Sequence, residues 1–83
     1  MKVRYFAWMK RTVGVADEEV SPPADVKTVG DLVAWLRAQS AGHAEALAEG
    51  AAFGAAVDQR TATFDASLAG VREVAFFPPF TGG

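Results

Sequence analysis

Thr28-Val29-Gly30-Asp31-Leu32-Val33-Ala34-Trp35-Leu36 carries the clearest pattern in the chain. Val29, Leu32, Val33 and Leu36 fall at i, i+3, i+4 and i+7, which puts four apolar side chains on one face of an α-helix. Thr28 with Asp31 three residues on resembles a capping box, with Asp in place of the usual Glu. The spacing predicts an amphipathic helix over roughly 29–39. Trp35 lies off the stripe and is read as packing at the core margin. A helix with one apolar face must lie against another layer, and the rest of the chain supplies strands for it.

Residues 2–8, Lys-Val-Arg-Tyr-Phe-Ala-Trp, are rich in β-branched and aromatic types and read as a strand. Alternation places Val3, Tyr5 and Ala7 on one face and Arg4, Phe6 and Trp8 on the other. A short helical turn over 9–13, ended by Gly14, leads to a second strand over 15–20, hairpin-paired to the first. Ser21-Pro22-Pro23 breaks the chain into a loop. Beyond the main helix, residues 43–49 suggest a second, short helix stopped by Gly50. Ala55–Val57 and Thr61–Phe64 read as a hairpin across Asp58-Gln59. Gly70 turns the chain into a last strand, Arg72–Phe77. Strands at both ends with a helix between them predict an α+β fold, one mixed sheet with a helix packed on one face, its first and last strands parallel neighbours. Residues 1–77 then form one domain and 78–83 a flexible C-terminal tail. No repeat or linker is found.

Eighty-three residues make one small domain, with a core too thin for a large internal cavity. Hydrophobic content of 51% against 22% charged places it among globular chains. A net charge of −2 with scattered basic residues gives no electrostatic footprint for nucleic acid. No apolar run approaches membrane-spanning length and the N-terminus is not a signal peptide, so the expected compartment is the cytoplasm and no membrane partner is expected. Without cysteine, thiol catalysis, disulfides and iron–sulfur clusters are excluded on this chain. With His43 the single histidine, no metal site is expected.

Little in the chain could carry chemistry in a pocket. A Ser/His/Asp arrangement would need His43, which sits among alanines and reads as a solvent-exposed helix-end residue. Asp17-Glu18-Glu19 reads as a solvated face or edge protection. Gly50 and Gly54 are too few and badly spaced for a phosphate loop, so the chain should bind neither ATP nor another cofactor by itself.

The reactive candidate is the terminus. Gly82-Gly83 lack β-carbons, so the backbone there is narrow enough to thread a tight channel, and nothing hinders the last carbonyl. Pro78 and Pro79 fix φ behind it and remove two N–H donors, which predicts an extended, unpaired segment. If the first and last strands are neighbours, Val74 and Phe76 join Val3 and Tyr5 against the helix. Phe77 then shares the outer face with Phe6. Two such phenylalanines form an apolar patch, read as a partner contact.

Taken together these residues resemble the small, sulfur-carrying subunits of molybdopterin synthase, a ubiquitin-like β-grasp family. The likeness runs through Val3-Arg4-Tyr5-Phe6-Ala7, Val13-Gly14, the helix after Thr28-Val29, and Ala56-Val57-Asp58-Gln59. It is strongest in Glu73-Val74-Ala75-Phe76-Phe77-Pro78-Pro79-Phe80-Thr81-Gly82-Gly83. The resemblance implies that a ubiquitin-activating-like enzyme adenylates the Gly83 carboxylate with ATP and magnesium. A sulfur donor protein then converts it to a thiocarboxylate. It implies further that the tail, with Gly82 as the threading residue, enters the large synthase subunit and gives sulfur to cyclic pyranopterin monophosphate. The assembly implied is a heterotetramer, with Phe6, Phe77, Pro78, Pro79, Phe80 and Thr81 against the partner. Two places depart from the family pattern: Gly70-Val71-Arg72-Glu73 replaces a commonly acidic stretch, and Phe80 a smaller β-branched residue. Three other readings stand beside this one: a thiamine-type sulfur carrier, a covalent protein modifier, and a binding module with an inert tail.

Overall fold

In the computed structural model, which describes residues 1–79, the alternation at the N-terminus becomes strand β1 (Lys2–Tyr5), with Val3 and Tyr5 buried. The strand is shorter than the 2–8 predicted. Ala7 takes a φ of 55°, which an L-residue adopts only at a cost, and the backbone turns there into helix α1 (Trp8–Val13). Trp8 therefore packs at the edge of the core instead of extending the strand, and Met9 is fully buried. Gly14 closes α1 at a φ of 106°, its N–H donating to the Lys10 carbonyl at 2.9 Å. Strand β2 (Asp17–Glu19) returns antiparallel to β1, pairing Val3 with Glu18.

Helix α2 (Val29–Arg37) is the predicted one, two residues shorter at its C-terminus. Its capping box is complete: the Asp31 N–H donates to Thr28 Oγ1 at 3.1 Å, and the Thr28 N–H donates to Asp31 Oδ2 at 3.2 Å. Those backbone bonds, the Lys27 N–H first among them, hold the Asp31 carboxyl below its ordinary range. Val29, Leu32, Val33 and Leu36 are all buried and Trp35 packs partly exposed against them, as the stripe predicts.

Helix α3 (Ala41–Ala46) precedes strand β3 (Gly54–Val57), and a turn at Asp58-Gln59 leads into β4 (Arg60–Ala62). Both turn residues have positive φ, 47° and 70°, the geometry that matches the twist of a two-residue hairpin. Asp58 also ties the next element in place: its Oδ1 accepts the N–H groups of Arg72 and Glu73, both at 3.0 Å. Strand β5 (Glu73–Phe77) runs parallel to β1 and antiparallel to β3, giving the order β2-β1-β5-β3-β4. One face of this mixed sheet, carrying Val3, Tyr5, Ala55, Val74 and Phe76, is buried beneath α2. The aromatic part of the core is built on Phe76, which stacks on Tyr5 with centroids 6.2 Å apart and meets Phe53 edge-on at 5.9 Å. The result is the α+β arrangement expected, with first and last strands side by side.

Candidate functional site

The register of β5 against its two neighbours builds the site. Tyr5 lies opposite Phe76 in the parallel ladder, so Phe6 and Phe77 are brought alongside each other on the face away from α2. Although β1 ends at Tyr5, Phe6 stays tied to the sheet by its N–H, which donates to the Phe76 carbonyl at 3.1 Å. Phe6 is 43% exposed and the Arg4 guanidinium lies 5.5 Å from its ring centroid. On the other side Gly54 lies opposite Phe77.

Together Phe6, Ala7, Thr61, Phe77, Pro78 and Pro79 line a shallow, almost wholly apolar depression of about 650 Å³. The structure therefore brings together four of the residues singled out from sequence: Phe6, Phe77, Pro78 and Pro79. Phe80, Thr81, Gly82 and Gly83 lie outside the described residues. Gly54 and Thr61 join this face without having been singled out from the sequence, and so does Ala7, which alternation put on the inner face with Val3 and Tyr5 but which the turn at its positive φ carries to this side.

His43 is not the exposed helix-end residue expected. It is only 8% exposed, and its Nε2–H donates to Glu18 Oε2 at 2.6 Å, while Ser40 Oγ lies 2.7 Å from Nδ1. The same Glu18 oxygen accepts the Tyr5 hydroxyl at 2.7 Å. Glycine at 42 allows this burial. A Cβ there would sit 2.6 Å from the Thr12 carbonyl oxygen, so α3 presses directly onto α1 and carries His43 inward. Burial raises the Glu18 carboxyl, but the bonds from His43 and Tyr5 outweigh it and hold the group below its ordinary value. Burial first, and then Glu18, push the Tyr5 hydroxyl well above its usual range. Glu18 is thus tied into the fold, while Asp17 and Glu19 stay exposed on the edge strand, as expected. The cluster joins β1, β2 and α3 through side-chain bonds, as a structural clip. Among the described residues no group of three or more acidic or histidine side chains could hold a metal ion, and no helix is long and apolar enough to cross a membrane.

Comparison with known proteins fits this geometry. The model of the ThiS family matches residues 3–83. A protein of Escherichia coli (strain K12), the molybdopterin synthase sulfur carrier subunit, is 45% identical over 83 residues, spanning 100% of this chain and 99% of that one. Among solved structures, small archaeal modifier protein 1 of Haloferax volcanii superposes with a TM-score of 0.72 at 24% identity, over 96% of this chain and 97% of that chain, a likeness of fold. A candidate molybdopterin converting factor, subunit 1, from Pyrococcus furiosus reaches a TM-score of 0.70 at 27% identity over 95% of each chain.

Proposed function

The chain belongs to the ThiS family, and we propose that it serves as the sulfur carrier subunit of a molybdopterin synthase. The observation that carries this reading is identity of 45% along the whole chain with a protein of that name. That relative also favours the molybdopterin pathway over a thiamine-type acceptor. The geometry supports it, since an apolar, partly exposed depression lies at the root of the segment that ends in Gly82-Gly83.

In this reading the chemistry belongs to the Gly83 carboxylate. A carboxylate is a poor acyl donor because oxide is a poor leaving group. At an adenylating partner, with ATP and magnesium, the carboxylate oxygen attacks the α-phosphate and expels pyrophosphate to give an acyl adenylate, and sulfide-level sulfur supplied by a donor protein then displaces AMP to leave a thiocarboxylate. The thiocarboxylate is a low-pKa sulfur nucleophile at an unhindered glycine; in the large subunit's active site it attacks cyclic pyranopterin monophosphate with loss of an oxygen leaving group, and water then cleaves the acyl–sulfur bond, leaving the sulfur on the substrate and a carboxylate on Gly83. This chain contributes the domain that docks and the narrow tail that reaches. Phe6, Phe77, Pro78 and Pro79 meet the large subunit at the tail's root, Phe80 and Thr81 follow, and two carriers serve two large subunits. Incubation with the activating enzyme and sulfur donor should raise the intact mass by about 16 Da, oxygen replaced by sulfur at the covalent intermediate. An unchanged mass under conditions that charge the Escherichia coli relative would overturn the reading.

A further inference from the structure

Glycine at 54 has a cause that backbone conformation does not supply. Gly14, Gly50 and Gly70 have positive φ; Gly54 does not, so alanine would fit its backbone. What alanine would meet is Phe77. A Cβ on residue 54 would lie 2.6 Å from Phe77 Cε1 and 3.0 Å from Cζ, about 0.8 Å inside ordinary contact at 3.4 Å. Gly42 is the instructive contrast: its missing Cβ makes room for backbone, the Thr12 and Val13 carbonyls. At Gly54 the nearest atoms all belong to one ring, and that ring lines the depression at the tail's root. Gly54 lies directly opposite Phe77 across the β3–β5 ladder, so the edge of the ring occupies the space its side chain would fill.

We propose that Gly54 is a positioning residue for docking: by lacking a Cβ it seats the Phe77 ring against β3 and so sets the shape of the surface offered to the large subunit. This rests on the reading that Phe77 contacts that subunit. An alanine at 54 drives the ring outward, towards Phe6 and Pro78, and narrows the depression without touching the core, because Ala55 and Phe76 face the other side of the sheet.

Binding of the full chain to the large subunit is measured by calorimetry for Gly54→Ala, Phe77→Ala and the double variant, with urea unfolding of each. Gly54→Ala should weaken binding about tenfold or more, as displacement of an anchor does, and leave the unfolding midpoint nearly unchanged. The double variant should bind no worse than Phe77→Ala alone, because the glycine acts only through the ring. Normal binding by Gly54→Ala beside weakened binding by Phe77→Ala would overturn the seat and leave the docking reading standing. Normal binding by Phe77→Ala would overturn the docking reading and the seat with it. A further measurement needs no folded Gly54 variant. The Gly54 Hα resonances of the natural chain should be shifted by the ring relative to Phe77→Ala, and stay shifted in the complex. Loss of that shift on binding would also overturn the seat.

Discussion

Replacing the two adjacent phenylalanines of β5 one at a time separates fold from docking. Phe76 is fully buried, stacked on Tyr5 and edge-on to Phe53. Truncation to alanine removes the ring from the middle of the core and should cost about 3–5 kcal/mol. A domain of this size has roughly 4–12 kcal/mol in total, so Phe76→Ala takes about a quarter of it at least and shifts the urea midpoint strongly. Phe77 is half-buried on the opposite face against a glycine. Its loss should cost the isolated domain about 1 kcal/mol, the scale of one cross-strand pair. Its effect on affinity for the large subunit should be larger, about 2 kcal/mol or more, as for a buried aromatic anchor, which is roughly 30-fold in Kd. Phe76→Ala, measured at a temperature where it remains folded, should bind with nearly natural affinity. Urea titrations with unchanged m-values and calorimetry of binding together decide the matter. Equal destabilisation by the two variants, or a natural Kd for Phe77→Ala, would refute the division of β5 into a core face and a docking face.

The remaining predictions concern the terminus and the clip. Deleting Gly83, or adding one residue after it, should abolish sulfur transfer in a reconstituted assay with no change in the unfolding midpoint; full activity of the extended chain would end the carrier reading. Gly82→Val places a β-branched side chain where the tail must thread, so adenylation or transfer should fall while thermal stability stays near natural. Glu18→Gln should destabilise the fold at neutral pH. Because Glu18 titrates lower in the folded chain than in the unfolded one, its contribution is fully present above the ordinary carboxylate range and is lost as pH falls through the folded value. The stability gap between the natural chain and Glu18→Gln, followed by urea titration, should therefore close on acidification.

Local patterns were legible and long-range ones were not. The stripe of α2 and its capping box involve residues within seven positions of each other, and both formed as written. The face assignment of β5 followed from period-two alternation once β1 and β5 were taken as neighbours. His43 was misread because its partner, Glu18, lies 25 residues away and joins it only when α3 packs on α1 through Gly42. Ser40 three residues before His43 caps α3 by accepting the His43 N–H, and that local spacing could have flagged an ordered histidine. The early end of β1 had no sequence signal, since alanine at 7 gives no hint of the positive φ it adopts. Gly54 escaped because its reason is the ring across the ladder and not its own backbone.

The position of β5 suits the proposed role, in which so small a domain presents its terminus for reaction. A core this thin cannot enclose a substrate, so the proposed chemistry must be carried out of the domain on the chain itself. That demands a firm root, and β5 has one: it is the middle strand of the five among the described residues, its residues 73–76 paired with β1 and 74–77 with β3. At its start the Asp58 carboxylate fixes the Arg72 and Glu73 amides; near its end the Phe6 amide bonds the Phe76 carbonyl. Prolines at 78 and 79 then offer no N–H to continue the ladder. Strand pairing thus runs up to Phe77 and ends beside the apolar depression, so in the proposed function a partner that grips Phe6 and Phe77 would grip the origin of the last segment through a strand held on both sides.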